Sequence, residues 1–420
     1  MPVTFSRAGD IFDVYQGNGT FRVNHKGVDI LDFHVTDDTP DPDPTPDPTP
    51  DPDPVPDPNP TPDPDPIPDP DPTTPPVIGG QVAANNAELK ALAQAAKPGD
   101  VIGVKNGDFG AFNFNGSGVT FVAENEHGPR FTSYQVSGSG VRVDGMACWP
   151  DTPPNPGNGF DYGITFNSGA NDCEVNRPLV MGRSDGRSFP TWDKAAWQAS
   201  KLTAVGMLGT DCRINGLTAY GVRGGIFMLG DGNVATRPKV RGCSHDGYRP
   251  NRDRCQLIDA VVTDMVKIDA NHPDAVQIFW KQGATYARLS DIVLRNFVAL
   301  EYHMNQPDNP LNWNATNNKF GIAQGIGIHD GFTDNLLVDR AFIGVGAFNG
   351  VHIKGSQNGT FNAIELRQIY EPNRSDCWID VNGNPNTFSG CVAPKFKGNA
   401  TGTVANNSGP LPSWAQALLA

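Results

Sequence analysis

Between about residue 117 and residue 405 one strand-like phrase keeps returning, and it leaves few folds open. Aligned on apolar positions it reads GVRVDGMAC (140–148), DCEVNRPLV (172–180), DCRINGLTA (211–219), RCQLIDAVV (254–262), ARLSDIVLR (287–295) and DNLLVDRAF (334–342). A second short run goes with it: YGITFNS at 162–168, GGIFMLG at 224–230, GIGIHDG at 325–331 and GVHIKGS at 350–356. Alternation of this kind is the strand period. Spacings that vary from roughly the high twenties to the high forties suit coils of a solenoid with loops of unequal length. No helical pattern separates the strands, which argues against a βαβ fold. The irregular period and the lack of a WD-like signature argue against a propeller. One coil cannot bury its inner face alone, so the stack must share a single core. The expected fold class is all-β: a right-handed parallel β-helix over 78–410.

The segment in front of the repeat supports that expectation. Residues 83–109 read AANNAELKALAQAAKPGDVIGVKNGDF. Asn86 is placed to cap a helix over about 87–96, with Leu89, Leu92 and Ala96 on one face and Pro98-Gly99 ending it. The strand VIGV follows at once. A short amphipathic helix at this point would cover the open end of the stack. This helix–PGD–strand–NGDF phrase resembles the opening segment of pectate-lyase-like right-handed β-helix proteins, the chondroitinase B and alginate lyase type. It covers only about 25 residues and speaks to fold more than to activity. The tail LPSWAQALLA (411–420) is expected to form a short C-terminal cap.

Two further regions precede the solenoid. Residues 1–36 alternate apolar and polar residues around a QGNG turn at 16–19, giving three or four short strands. So short a module rarely folds alone, since below about 40 residues little surface can be buried. It is expected to oligomerise or to dock onto a larger particle. Over 37–77 the composition changes abruptly: every even position from Pro40 to Pro72 is proline, mostly alternating with Asp or Thr. Such a run forms neither helix nor ladder and favours extended polyproline II. At ~3.1 Å per residue it would span on the order of 100 Å as a stalk.

Charge and cysteine content narrow the partners. The formal net charge is −14, but Asp37 to Asp71 holds 12 aspartates and no basic residue, which leaves −14 + 12 = −2 for everything else. A nearly neutral folded part makes nucleic acid a poor partner. No apolar run reaches the roughly 18 residues of a membrane span. MPVTFSRAGDIFDVYQ has no basic-then-apolar signal region, so synthesis in a bacterial cytoplasm without a signal peptide is expected. The cysteines number 7 and lack CxxC spacing. Cys173, Cys212 and Cys255 fall at one place in successive coils, which suggests a ladder of buried thiols rather than disulfides.

Chemistry-bearing residues gather around NHPDAVQIFW (271–280), where His272 and Asp274 stand at the mouth of a strand. His245, His303, His329 and His352 lie in the surrounding coils. Strands in neighbouring coils lie about 4.8 Å apart, so His272, Asp274, Gln277, His329 and His352 are expected to form one polar strip. Glycoside hydrolysis would need two carboxylates roughly 5–9 Å apart, here Asp274 with Asp246, Asp330 or Glu301. β-Elimination on a uronate would need a base for the C5 proton and a cation for the carboxylate: His272 or His329, with Lys354, Arg249 or a bound calcium. The catalytic candidates are therefore His272, Asp274, His329, Asp330 and Lys354. No zinc pattern, P-loop, G-x-S-x-G elbow or calcium-binding nonapeptide repeat is present, so no cofactor is called for and calcium is optional. Insertions are read at 149–161, 183–201, 231–253 and 302–320, and in a solenoid they collect on one side. They carry Trp149, Trp192, Trp197 and Trp313, with Trp280 at a strand end. These rings, with Arg249, Gln277 and His352, are the candidate sugar-binding residues.

HPDAVQIFW followed by AQGIGIHDG resembles a group of bacterial right-handed β-helix proteins with HPDxIQFW and AQGIF phrases; Ala275-Val276 and Gly327-Ile328-His329 depart from that pattern. The group's activity is generally unassigned, so the resemblance carries fold and carbohydrate context without a mechanism. A reversed order, D-P-H, is the catalytic phrase of mannuronan epimerases; here it reads H-P-D. The whole plan of β module, acidic stalk and β-helix with aromatic loops resembles a bacteriophage tailspike or virion fibre. That resemblance implies a homo-oligomer, a trimer first, anchored to capsid or tail proteins through 1–36 and displayed on the virion surface. Its β-helix would meet host cell-surface polysaccharide, and depolymerisation by a lyase or hydrolase activity stays open. Two other readings remain: a free extracellular polysaccharide lyase or epimerase, and a non-catalytic capsid decoration or adhesion protein.

Overall fold

The computed structural model describes residues 80–152, 161–268, 323–368, 377–407 and 409–420. It also describes 272–302 apart from 280, 283–284 and 287, and the strands between residues 3 and 34. The polyproline segment lies outside these. Two compact units are distinguished, residues 1–67 and 68–420. In the first, strands Val3–Arg7, Asp10–Gly17, Thr20–His25 and Val28–His34 form an antiparallel sheet in chain order. Gly17 pairs with Thr20, so the first long hairpin closes where the sequence places its turn. The register sets Val3 against Val14, Val14 against Val23 and Val23 against Leu31.

The second unit is a parallel β-helix. Coil after coil contributes two short strands to a 21-stranded sheet bent at a corner and one strand to an 11-stranded sheet, with parallel pairing in both. Stacking sets like positions over one another. Val143, Val175, Ile214, Ala235, Leu257, Leu294 and Val338 form one inner row, all with no exposure.

The corners show why the chain can turn so tightly. Gly140, Asp172, Asp211, Gly232, Arg254, Asp291 and Asn335 stand at one recurring position, Gly145, Arg177, Gly216, Arg237, Asp259, Asn296 and Arg340 at another. All have φ between 48° and 74°. This left-handed conformation costs an L-residue about 1–2 kcal/mol, least for Asn and Asp, whose short side chains bond locally. Bonds between coils offset part of that cost: Asn296 donates to Asp259 at 2.6 Å and Asn335 to Asp291 at 2.9 Å.

Several expectations are corrected here. Residues 231–253 are not an insertion but a coil of their own, with strands Val234–Thr236, Lys239–Cys243 and Tyr248–Pro250. In that coil buried Asn233 takes the ladder place between Cys212 and Cys255. Its amide donates to the carbonyls of Met207, Gly209 and Gly230 at 3.1, 2.9 and 2.8 Å, and its oxygen accepts from the Cys212 amide at 3.0 Å. A polar residue in an apolar ladder broke the repeat as read from sequence. All 7 cysteines are free and buried. The unit taken at 287–295 starts a strand too early. Arg288–Ser290 belongs to a small parallel sheet with Phe332–Asp334 and Ser356–Gln357, and Val293–Leu300 carries the repeat.

Helix α1 spans Asn86–Ala95, and its cap is Asn85, not Asn86. Asn85 accepts from the Glu88 amide at 2.9 Å, while Glu88 reaches back to the Ala84 amide at 2.8 Å, a reciprocal arrangement that Asn86 could not make. Asn86 instead donates to the Phe109 carbonyl. Leu89 is buried and Leu92, Ala93 and Ala96 lie against the core beside the first coil. Helix α2 (Lys194–Ala199) lies within a loop. Helix α3 (Ser413–Leu419) lies along the wall of the middle coils, against Val261, Val298, Leu300 and Phe342, rather than over the end of the stack. The long connections leave one corner, from Cys148 to Asp161, Met181 to Leu202, Met265 to Asp274 and Leu300 to Gln324. That corner is where the 11-stranded sheet begins, and Asp274 is the first residue of its strand there.

Candidate functional site

The strand Asp274–Gln277 runs between Tyr248–Pro250 and Gln324–Ile328 in the 11-stranded sheet. Val276 and Ile326 are buried in the core, while register lines up Gln277, Gly327, His352, Asp380 and Lys397 across successive coils. Phe227 and Arg249 pair on the coils before. Of the strip expected from coil stacking, register puts Gln277 and His352 in one row with Gly327 between them, while His272, Asp274 and His329 stand off it; the face changes character along its length.

At one end charges are matched. Asp246 is buried, and its carboxylate accepts from Arg249 Nε at 2.5 Å and from the Asp274 amide at 3.1 Å, with His245 Nδ1 3.3 Å away. Burial alone would raise its pKa, but His245 and Arg249 together bring it below the ordinary carboxylate range. The Arg249 guanidinium also lies over Phe227 and Phe279, 4.7 and 5.3 Å from the ring centres.

In the middle charges are not matched. The Asp274 side chain is 1 % exposed, and neither of its oxygens has a hydrogen-bond partner. His272 Nε2 lies 3.6 Å from one oxygen and His329 Nε2 3.8 Å from the other, and both nitrogens are likewise buried and unpartnered. Burial, with the Asp246 charge nearby, pushes Asp274 well above the ordinary range. Burial pulls His272 down, and burial with His352 and His272 alongside pulls His329 to about 4. One donor atom from each of His272, Asp274 and His329 lies within 4.8 Å of the others, so these three residues could hold a metal ion.

Gly327 makes this geometry available. A Cβ there would stand 2.5 Å from His329 Nε2, so the imidazole folds back into space that only glycine leaves. His352 stacks on His329 with centroids 5.3 Å apart, and its Nδ1 is 3.3 Å from Asp380. Beyond it Lys397 Nζ sits 3.0 Å from the centre of the Trp378 ring, which packs on Phe348.

The other candidates scatter. Asp330 and Lys354 are exposed, just past the strand ends that carry His329 and His352. Glu301 is buried and accepts from the Gly346 amide at 2.6 Å, a role in the framework. Trp192 and Trp197 are not sugar platforms. Both are buried, 5.1 Å apart in a T-shaped pair with Phe189 and Val266 beside them. The excursion that carries them forms α2, capped by Asp193, and a helix of 6 residues is stable only if its apolar side is packed. Trp149 is half-buried against Leu179 and Met181 under the Arg130 guanidinium. Trp280 and Trp313 lie outside the described residues, as does His303. Sequence reading missed His245, Asp380, Trp378 and Lys397 as members of the row. Coil register connects Asp380 and Lys397, and side-chain contacts with Asp246 and Lys397 connect His245 and Trp378, while their local phrases are unremarkable. A groove of about 640 Å³ between α1 and the first strands of the same sheet is lined by Lys90, Gln94, Phe112, Asn113 and Gln135, and carries no acid–base pair among its lining residues.

No family model and no curated protein matches the chain. Solved structures that it is similar to include the Dettilon tailspike protein, at a TM-score of 0.45 and 10% identity over 73% of this chain and 57% of that one. The A-module of the Azotobacter vinelandii mannuronan C-5 epimerase gives a TM-score of 0.41 at 11% identity over 77% of this chain and 91% of that one. An alginate lyase from a Paenibacillus species gives 0.36 at 13% identity, over 76% and 97%. The chain thus spans little more than half the length of the tailspike. These are likenesses of fold, and no residue's role is taken from them.

Proposed function

We propose that this chain is a virion-attached spike or fibre protein whose β-helix recognises a bacterial surface polysaccharide along the row from Phe227 to Lys397. The observation that carries the reading is the row itself. It presents a guanidinium, an amide, an imidazole, a carboxylate and an ammonium on different coils, with the His329 ring folded over the Gly327 step, on the sheet that begins at the corner from which the long connections leave. A repeating polymer of hydroxyls and carboxylates is the kind of ligand that meets such a repeat with many individually weak contacts. In this reading residues 1–36 attach to capsid or tail, 37–77 hold the β-helix clear of the particle, and the assembly is a homotrimer.

The test mixes the purified full chain with capsular or exopolysaccharide from candidate host bacteria. Polymer size, absorbance near 235 nm and reducing ends are followed together. Retention on the polymer is the expected result. Shortening with new absorbance makes the protein a lyase as well, and reducing ends without absorbance make it a hydrolase. Intact polymer with retained protein makes it an adhesin. No retention on any polymer, with a cooperatively folded protein, overturns the reading.

A further inference from the structure

We infer that His272, Asp274 and His329 bind one divalent first-row transition-metal ion, of which zinc and cobalt are the practical probes. The argument begins with an imbalance. Buried polar atoms in folded proteins nearly always have partners, and each exception calls for an explanation such as an ion or ordered water. Here four such atoms face one another: both Asp274 oxygens and the Nε2 atoms of His272 and His329. A carboxylate without a compensating charge is costly to bury, and the one described guanidinium at this face that bonds a carboxylate, Arg249, bonds Asp246 instead.

The donor set then selects the ion. Two imidazoles and one carboxylate are the ligands of open-sided transition-metal sites, whereas calcium takes six to eight oxygens. The calcium left optional by the sequence therefore has no oxygen cage here. With bonds of about 2.0–2.2 Å, ligand atoms around such an ion lie roughly 3–3.5 Å apart. The present separations of 3.6 and 3.8 Å, each to a different Asp274 oxygen, within a set of three donor atoms spread over no more than 4.8 Å, are wider, so the side chains would draw in around the ion. Each imidazole offers Nε2, and the notch at Gly327 gives the His329 ring its position.

The three ligands leave coordination positions free. The four donor atoms are themselves buried, while the His272 and His329 rings that carry two of them are 38 % and 25 % exposed. An ion held there would present a Lewis-acidic position to a carboxylate or hydroxyl of the polymer. That last role rests on the function proposed above; binding of the ion does not.

The full chain, stripped with chelator and dialysed, would be titrated with Zn²⁺ by calorimetry and with Co²⁺ by visible absorption. One equivalent per chain is expected, undisturbed by millimolar Ca²⁺. His272→Ala, a substitution in a half-exposed loop residue, should weaken binding at least tenfold. Gly327→Ala, which keeps all three ligands but drives a methyl group into the His329 ring, should do the same and alter the cobalt spectrum. His127→Ala, at an imbalance-free histidine whose Nε2 meets the Arg177 carbonyl at 2.9 Å, should change nothing. No saturable binding, or binding indifferent to His272→Ala and Gly327→Ala in proteins with unchanged circular dichroism, overturns the inference. Polymer retention is measured on stripped and loaded protein alike. Metal binding without retention on any polymer removes the proposed function and leaves the metal site standing.

Discussion

Asn233 and Asp274 are both buried polar residues of the same β-helix, and their surroundings are opposite. Asn233 stands inside the thiol ladder with four hydrogen bonds to backbone atoms, its amide shared among three carbonyls. Asp274 stands at the start of an interior strand of the 11-stranded sheet with none on its side chain. Buried polar groups that are fully bonded fix a structure, whereas unbonded ones cost stability and persist where something else is gained. The contrast separates a framework from a site without reference to any relative.

The largest effect expected from this contrast is at Asn233. Asn233→Ala would strand the Cys212 amide and remove a partner from three carbonyls, at about 1–3 kcal/mol for each group left unsatisfied. A loss of about 3 kcal/mol in denaturant unfolding is expected, with zinc affinity unaltered. A loss below about 1 kcal/mol would mean that water replaces the amide, and the contrast with Asp274 would lose its sharper half.

Asp274→Asn should move stability the other way. The substitution keeps the shape and removes a carboxylate with no compensating cation, so chelator-treated protein should gain about 1–2 kcal/mol. Zinc should then stabilise the parent chain and not the variant, since only a ligand bound to the folded state raises stability. Thermal melts with and without zinc decide it. A destabilised Asn variant in chelator would show that the charge is already balanced, and Asp274 would join the framework.

How much of this the sequence shows depends on whether a feature repeats. The inner rows and the thiol positions recur in successive coils, so periodicity exposes them and the fold with them, whereas the corner role of Asp172, Asp211 and Asp291 shows only in the backbone. His272, Asp274, His329 and His352 were visible for a related reason, as ionisable residues interrupting apolar runs at matching places. Asn233 was hidden because it substitutes for a thiol, and its coil was mistaken for a loop. Trp192 and Trp197 misled because a ring in an insertion looks exposed until the insertion is known to carry α2 and its own small core. The notch at Gly327 was hidden for another reason. One glycine among 47 carries no mark that a folded-back imidazole needs its space.

Arg249 lies on the boundary and gives the smallest and most discriminating effect. It belongs to the row by register with Phe227, yet its Nε bonds Asp246 at 2.5 Å and its plane covers two aromatic rings. Its charge is therefore matched already, which the contrast counts as framework. Arg249→Lys keeps the charge and loses the planar, forked donor that suits a carboxylate and a ring face together. A loss of about 1 kcal/mol in unfolding stability is expected from one charge-assisted bond made with poorer geometry. Polymer retention should weaken by less than tenfold. A hundredfold loss of retention with unchanged melting would place Arg249 among the residues that hold the ligand. A side chain whose charge is already matched would then be functional, and bonding state alone would no longer divide this protein into framework and site.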